Sequence, residues 1–556
     1  MKKYICSCKY LFFLLLPTFY TPLSCLDIKP PRLTIIFIVD QFAYHYLPRL
    51  EQYLTGGIKF LMINGINYKK AYWPHAKPKT AIGHTGLNTG AFANYHGIVG
   101  NSWRNEKLQK VAFDDDLEQQ AAVFSPEGFY SYGKSAHNIM VDGVSDQLML
   151  ESCKTAPITV FALSYKSGAA IGNVGELGKA IWFDTKAGCF TSSKAYFDKI
   201  PSWLEQFNKK HPFDALMKQE WNLFYHKDSA AYSLAEEATP QCQRIESGIG
   251  KKVVNLVTNS KNSARVFIES PMANELLFDL AKKFLDNHLT RNKDSRIVLW
   301  VSLSPLDKLC HFFGPHGRET IDMIYHLDYQ LKRFLSFVRK RVKQSDVLYI
   351  LTADHGVEPL PEWLQKKGVK NARRILIPSL VKGIEAYIQK KHGITIKCAI
   401  KVPQVYLDKT FDLLDKEKQQ IILNDIKNYL EQQKGIKKAW LNCELSEECI
   451  NKGQIEYYYK NQQFPGRSGH ITFQVFPYTL VTKHTTGTGH RTPYEWNTHV
   501  PLIFYQKGVF EHKVINERVW LLQFANSLAQ IHKIPKPSAS TFSLLPGLFP
   551  AEDVSY

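Results

Sequence analysis

The strongest constraint on the fold is a continuous β run that ends in an acid. Residues 34–39 read Thr-Ile-Ile-Phe-Ile-Val, and Asp40 follows directly. A run without polar alternation predicts a strand buried on both faces, as in a parallel sheet covered by helices. In such sheets, ligands bind beyond the carboxyl ends of the strands. Asp40 therefore marks the edge at which we expect a functional site.

Apolar runs of the same kind recur along the chain and alternate with segments of helical periodicity. The predicted strands cover residues 34–39, 157–162, 297–301, 347–351 and 500–505. The predicted helices cover residues 42–52, 319–339, 417–433 and 519–532, and a further helix begins at Pro271. This alternation predicts an α/β fold, with a doubly wound, mostly parallel sheet, helices on both faces and inserted cap segments.

The chain has 556 residues, and one catalytic domain at residues 26–540 is expected to take up most of them. Residues 180–265 are rich in aromatics and turns, whereas residues 365–480 are polar and rich in lysine. Both stretches interrupt the strand–helix alternation, so we interpret them as insertions over the sheet edge. Residues 541–556 form a predicted C-terminal tail.

The N-terminus has the pattern of a secretory signal. Lysines precede an apolar run at residues 11–16, and small residues follow up to Cys25. We interpret residues 1–25 as a signal peptide, with a buried N-terminal helix as the alternative. The chain is therefore predicted to be exported to the periplasm. The sequence Leu-Ser-Cys ending at Cys25 is a loose version of a lipid-attachment signal.

Charge and hydropathy limit the partners. The net charge of +19 is spread along the whole chain, which favours anionic ligands in general. There is no compact basic motif with interleaved aromatics, so no specific nucleic-acid partner is predicted. After residue 30 no stretch is apolar over ~20 residues, so no membrane span is predicted. The oligomeric state is not determined by the sequence.

Polar clusters lie beside three of the other predicted strands. They contribute the side chains Asp307, His311, Asp354, His355 and His490. Asp307 and His311 are four residues apart, so one turn of helix would place both on one face. Thr80 adds a hydroxyl after a loop that contains proline, at the start of a small-residue run that favours a helix.

This set of donors predicts a metal site. Carboxylate and imidazole ligands suit zinc, with manganese or iron less favoured. Seven such ligands exceed what one ion uses, so we expect two Zn²⁺ ions per chain. Asp307, His311 and His490 would hold one ion, and the other would be held by Asp40, Asp354, His355 and the oxygen of Thr80.

At this point the sequence resembles the alkaline phosphatase superfamily. It is most similar to the bacterial zinc alkaline phosphatases with a threonine nucleophile, which are related to the nucleotide pyrophosphatase/phosphodiesterases. The stretches that carry the resemblance are residues 38–41, 80–85, 96–101, 307–315, 353–356, 492–494 and 498–501.

The resemblance implies a role for each matching residue. Thr80 would be the nucleophile. Asn101 would donate to a phosphoryl oxygen, and Lys166 matches the lysine of a Lys-x-Arg pair found in the monoesterases. The implied function is a zinc-dependent phosphomonoesterase that acts on a small phosphorylated substrate through a phosphothreonine intermediate.

One position departs from the family pattern. Gly168 stands where the Lys-x-Arg pair has arginine, and glycine cannot bind two phosphate oxygens as a guanidinium does. Lys79 and Arg491 are the candidates for a replacement cation. The departure keeps a phosphodiesterase or nucleotide pyrophosphatase on the same site as the alternative function. A non-catalytic binding protein on this scaffold is a third interpretation, against which the full ligand set argues.

Overall fold

The computed structural model describes residues 29–549 except 117, 153, 155–156, 211, 236–246, 257–262, 292–294 and 448–449. The predicted signal peptide with Cys25, and residues 550–556 of the predicted tail, lie outside the described residues. Within the described part of the chain, no helix combines the length and the apolar character needed to cross a membrane.

Twenty-one strands are described. They are β1 (Leu33–Val39), β2 (Ile66–Tyr72), β3 (Ser102–Arg104), β4 (Lys110–Ala112), β5 (Asp115–Asp116), β6 (Ala122–Ser125), β7 (Gly128–Lys134), β8 (Ile158–Ser164), β9 (Lys179–Asp184), β10 (Cys189–Thr191), β11 (Arg296–Leu303), β12 (Val347–Thr352), β13 (Arg373–Leu376), β14 (Cys398–Lys401), β15 (Gln404–Leu407), β16 (Ile436–Leu441), β17 (Ile471–Val475), β18 (Thr479–Thr482), β19 (His499–Val500), β20 (Leu502–Tyr505) and β21 (Lys513–Trp520).

Twenty α-helices are described. They are α1 (Tyr46–Leu50), α2 (Gly57–Asn64), α3 (Thr80–Thr89), α4 (Ala93–His96), α5 (Val144–Ser152), α6 (Ser167–Val174), α7 (Ser202–Lys209), α8 (Pro212–Met217), α9 (Ser263–Phe267), α10 (Pro271–Arg291), α11 (Pro305–Phe313), α12 (Arg318–Arg339), α13 (Pro361–Lys366), α14 (Ile377–His392), α15 (Lys409–Asp412), α16 (Lys416–Glu431), α17 (Asn442–Glu447), α18 (Ile455–Lys460), α19 (Glu495–Thr498) and α20 (Phe524–His532).

A ten-stranded sheet forms the centre of the described structure. Its strand order is β10-β9-β8-β11-β1-β12-β20-β2-β19, and β21 pairs with β2. The strands β9, β8, β11, β1 and β12 are parallel neighbours. All seven residues of β1 are buried, as expected for a strand covered on both faces. The predicted α/β class with a mostly parallel sheet is confirmed.

On the other side of β12, the sheet is not purely parallel. β20 runs antiparallel to β12, and β2, which the sequence pattern did not indicate, runs antiparallel to β20. The helix predicted at residues 519–532 begins only at Phe524. Residues up to Trp520 extend β21 instead, because this strand pairs with β2.

The helix predicted at residues 42–52 is also shorter, since α1 covers only Tyr46–Leu50. Gln41 has a φ of 69°, and a turn separates it from the helix. The chain therefore leaves β1 through a sharp turn directly after Asp40.

Residues 373–482 build two sheets of their own. β14, β15, β17 and β16 form one sheet, and β13 pairs with β18. α14 and α16 contribute buried residues such as Ile384 and Ile422 to a second core, separate from that of the large sheet. This unit meets the two-stranded sheet of β3 and β4, where Lys401 Nζ donates to Ser102 Oγ.

Candidate active site

The predicted site lies where the carboxyl ends of four neighbouring parallel strands meet. Asp40 directly follows β1, Asp354 lies just beyond β12, and Lys166 follows β8. β11 leads into α11, which carries Asp307. Because the strand order is β8-β11-β1-β12, side chains far apart in the sequence lie side by side at this edge.

Thr80 is the first residue of α3 and is buried. Lys79 before it is extended, so the chain enters the helix directly from the loop. Gly83 lets α3 pack closely against the end of β12, since a Cβ at this position would lie 2.4 Å from the backbone oxygen of Asp354. The Thr80 hydroxyl is therefore held at the positive end of a helix dipole, beside the carboxylates.

Asp40, Asp354 and His355 form one tight group of donor atoms. Their ligand atoms lie within 4.8 Å of one another, and all three residues are buried. His355 Nε2 is 3.5 Å from Asp40 Oδ1 and 3.2 Å from Asp354 Oδ2. Gln41, in its left-handed conformation, donates its backbone N–H to Asp354 Oδ1 at 3.1 Å and so orients this carboxylate.

Asp307 is the centre of a second group. His311 lies one helical turn further along α11, with its Nε2 3.2 Å from Asp307 Oδ1. His490 Nε2 is 3.5 Å from the same oxygen. His355 belongs to this group too, since its donor atom lies within 4.8 Å of those of Asp307 and His490. The two donor groups thus adjoin at His355.

The three imidazoles all turn Nε2 towards carboxylate oxygens. In each ring Nδ1 donates to a backbone carbonyl, at 2.9 Å in His311, 3.0 Å in His355 and 3.1 Å in His490. Because a carbonyl oxygen only accepts, the lone pair of each neutral ring is on Nε2. Burial keeps the pKa of both His355 and His490 well below the usual value, so both are neutral.

This arrangement fits divalent cations. Four buried atoms that could ligate a metal have no hydrogen-bond partner among the described residues. They are Asp40 Oδ1, Asp307 Oδ1, Asp354 Oδ2 and His355 Nε2. Lone pairs that face one another repel unless a cation lies between them. Burial, together with the charge of Asp40, raises the pKa of Asp354 well above its usual value, as expected for carboxylates crowded without enough positive charge.

Lys166 reaches into the middle of these carboxylates. Its Nζ contacts Oδ2 of Asp40 and lies 2.6 Å from Oδ2 of Asp307. It is also 3.4 Å from Thr80 Oγ1. Burial opposes the charge of Lys166, but the two carboxylates outweigh it and raise the pKa of this lysine. Burial likewise opposes ionisation of Asp307, but Lys166 and His311 hold its pKa well below the usual value.

Asn101 lies beside the start of α3. Its Oδ1 accepts the backbone N–H of Ala81 at 3.0 Å. The amide nitrogen of Asn101 is then the group left to donate to a ligand next to Thr80.

Gly168, the second residue of α6, has no room for a side chain. A Cβ there would lie 2.5 Å from Cε1 of Phe113, a buried ring. The position at which the family pattern has arginine is therefore filled by a neighbouring aromatic side chain.

A known protein family matches most of the chain. The family described as type I phosphodiesterase/nucleotide pyrophosphatase matches residues 34–499. The chain belongs to this family. It is a phosphoric ester hydrolase of the alkaline phosphatase superfamily, and the family is metal-dependent.

Two proteins that are similar to this chain are alkaline phosphatases. Alkaline phosphatase PhoV of Synechococcus elongatus is 26% identical over 519 residues, which cover 92% of this chain and 91% of the relative. Alkaline phosphatase PafA of Elizabethkingia meningoseptica is 25% identical over 525 residues, which cover 92% and 93%. The crystal structure of wild-type PafA matches this chain with a TM-score of 0.82 and 23% identity. The match covers 94% of this chain and 100% of that chain, and so shows the same fold.

Sequence reasoning missed two residues that lie near this site, Glu358 and Lys401. Glu358 accepts hydrogen bonds from Asn497 Nδ2 at 2.8 Å, from Thr492 Oγ1 at 3.0 Å and from the backbone of Arg491 at 3.2 Å. It thereby holds the loop that carries His490. Its place three residues after His355 is the one signal that pointed to it. Nothing in the sequence pointed to Lys401.

Proposed function

We propose that the protein is a zinc-dependent phosphomonoesterase that works through a covalent phospho-Thr80 intermediate. The observation that carries the proposal is the placement of the Thr80 hydroxyl beside two adjoining groups of buried donors, whose imidazole lone pairs face carboxylate oxygens. Zinc is the ion of choice because the donors are carboxylate oxygens and imidazole nitrogens.

Asp307, His311 and His490 would hold one zinc ion, and Asp40, Asp354, His355 and Thr80 the other. When bound, two such ions favour the alkoxide form of the nucleophile and neutralise charge on the leaving oxygen. The location of His355 between the two groups supports a pair of sites that share one wall.

The chain's own residues account for the phosphoryl transfer. The Thr80 hydroxyl gives its proton to water and Oγ1 bonds to phosphorus, while the bond to the leaving oxygen breaks and that oxygen takes a proton from water to leave as the alcohol. Lys166 Nζ, 3.4 Å from Thr80 Oγ1, holds negative charge on the transferred group, and the Asn101 amide donates to another of its oxygens. Water then attacks phospho-Thr80, which releases phosphate and restores the hydroxyl.

A cavity of about 780 Å³ supports a small organic substrate. It reaches the site at Lys166 and His311, and its walls include Tyr165 and Phe312. Thr185, directly after β9, and Thr482, the last residue of β18, also line it. Leaving-group preference would therefore depend on the side chains that line this cavity.

A phosphodiesterase is the second candidate, and one observation favours it. A phosphate diester carries one negative charge less than a monoester, so it needs less cationic support. Phe113 takes the space of the missing guanidinium at Gly168. The ratio of activity on an aryl phosphate to activity on a bis-aryl phosphate decides between the two candidates.

We also infer that the chain is exported to the periplasm. The support is the basic and apolar pattern of residues 1–25. N-terminal sequencing of the protein from the periplasmic fraction tests the cleavage, and mass spectrometry of that fraction tests a lipid on Cys25.

The decisive experiment for the mechanism uses Thr80→Ala. Thr80→Ala should lose turnover while the protein still binds zinc, measured by elemental analysis after gel filtration. Acid quenching of the wild type during turnover should trap a phosphate on the peptide that contains residue 80. Full activity of Thr80→Ala, or a trapped phosphate on another peptide, would reject the proposal.

A further inference from the structure

A second cavity adjoins the site, and its lining is strongly cationic. It has a volume of about 390 Å³ and is bordered by Lys79 and Asn101, which flank the nucleophile. Six of its lining residues are lysine or arginine: Lys77, Lys79, Arg104, Lys401, Lys483 and Arg491. No acidic residue of the described chain lines it.

The hydrogen-bond partners of these side chains in the described chain are uncharged groups. The Nζ of Lys77, a side chain 5% exposed, donates to the carbonyl of Val99 at 3.3 Å. The Nζ of Lys401 donates to Ser102 Oγ at 3.0 Å. In the described part of the chain none of the six cations forms an ion pair with a carboxylate. Glu358 is close to Arg491, but it accepts from backbone and neutral side chains instead.

Such crowding of like charges is unfavourable in the free protein. Burial, together with the charges of Lys401 and Arg491, lowers the pKa of Lys77 to about 7. Burial, together with Arg104 and other cations, lowers the pKa of Lys401 to about 8. A multivalent anion in the cavity would remove this repulsion and would meet several donors at once.

The cavity is also connected to the reaction. Arg491 lines both this cavity and the larger one at Lys166 and His311. Asn101 borders the cavity, and its side chain also accepts the backbone N–H of Ala81 at the start of α3. A molecule with one phosphate at Thr80 can therefore extend a second anionic group towards Lys401 and Lys483.

We propose that this cationic cavity binds a second phosphate group of the substrate, so that the enzyme prefers phosphate esters carrying two phosphates. The inference rests on the proposed phosphatase function and narrows its substrate class. A free inorganic phosphate offers the same chemistry, and the experiment separates the two sources.

The test compares alkanediol bisphosphates of two to six carbons with the matching alkyl monophosphates on the zinc-loaded enzyme. A bisphosphate has two phosphates that can react, which alone favours it by a statistical factor. At low ionic strength, kcat/KM for the best bisphosphate should exceed that for the monophosphate by about tenfold beyond this factor. In Lys483→Gln, an exposed lysine of the cavity, this preference should fall by on the order of threefold, and in Lys401→Gln by at least as much. Lys507→Gln, an exposed lysine after β20, is the matched control and should leave the preference unchanged.

Three outcomes are distinguishable. If neither ester is hydrolysed, the proposed function itself fails. If both are hydrolysed with only the statistical preference, or if the preference is the same in all variants, the second-phosphate site is rejected. If only inhibition by inorganic phosphate changes in Lys483→Gln and Lys401→Gln, the cavity binds free phosphate and the substrate proposal is likewise overturned.

Discussion

Cε1 of Phe113 would lie 2.5 Å from a Cβ on Gly168, and Cζ of the same ring 3.1 Å from it. Phe113 is 3% exposed, and its backbone N–H donates to the carbonyl of Asn101 at 3.3 Å. The ring therefore occupies the space in which an arginine side chain would begin, next to the proposed phosphate-binding residues. A guanidinium at position 168 therefore requires the Phe113 ring to move.

Gly168→Arg should destabilise the fold, although position 168 is helical. Helix propensity alone would favour arginine by about 1 kcal/mol. Overlap with the Phe113 ring should outweigh this and cost about 1–3 kcal/mol of the free energy of unfolding. Phe113→Ala alone should cost about 3–5 kcal/mol.

The double variant is the control for this overlap. Phe113→Ala with Gly168→Arg should lose at least about 1 kcal/mol less than the sum of the single variants, measured by denaturant unfolding. It is also the variant in which an added guanidinium should raise the ratio of monoesterase to diesterase activity. Strict additivity of the two changes would show that the ring does not exclude the side chain.

Removal of bound metal should lower the melting temperature, because the buried carboxylates and imidazole lone pairs then face one another without a cation. Saturating zinc at 1,000 times its Kd contributes about 4 kcal/mol. Asp354→Asn should reduce the difference in melting temperature between zinc-loaded and chelator-treated protein, measured by thermal unfolding. Asp425→Asn, which breaks a distant ion pair with Lys391, should leave that difference as it is in the wild type.

Lys77→Met should stabilise the protein most at low pH. Folding lowers the pKa of Lys77 from 10.5 to about 7, so between these values the unfolded chain binds more protons. Wild-type stability then rises with pH, by at most about 1.4 kcal/mol per pH unit from this group. The advantage of the methionine variant should be largest below pH 7 and should shrink as the pH approaches 10.

Denaturant unfolding of both proteins at pH 6 and pH 9, at the same zinc concentration, measures this effect. Lys507→Met, at an exposed position, should show no such pH dependence. An advantage of Lys77→Met that is equal at the two pH values would mean that folding does not shift the pKa of Lys77.

Glu358→Gln should weaken zinc binding without removing a ligand. The variant replaces a carboxylate that accepts from Asn497, Thr492 and Arg491, and so loosens the loop that carries His490. Loss of such an outer partner typically lowers metal affinity by about 10–100-fold. Competition with a chromophoric chelator measures the affinity. Glu275→Gln, which breaks the ion pair with Arg333 away from this loop, is the matched control and should retain wild-type affinity.

The strands that position the site could be predicted to within about two residues. β1, β11 and β12 are buried on both faces, and a strand in that environment must be continuously apolar, which makes it visible in the sequence. The long helix α12, predicted at residues 319–339, begins at Arg318 and ends at Arg339 for a similar reason, since its apolar residues recur with helical spacing.

The two outermost long strands on the β21 side of the sheet were less predictable. β2 and β21 carry exposed and charged residues, so their pattern does not distinguish a strand from a loop. Their pairing depends on partners that lie hundreds of residues away in the chain, and local propensity contains no information on such partners.

By itself, the sequence determined that acids, histidines and a hydroxyl cluster at the ends of buried strands, because parallel strands bring their carboxyl ends to one edge. Tertiary structure alone decided that His355 lies between the two donor groups, that Phe113 fills the space beside Gly168, and that Lys401 reaches Ser102, 299 residues away in the chain. Those three relationships are contacts between separate elements, and side-chain packing in three dimensions leaves no periodic trace in the chain.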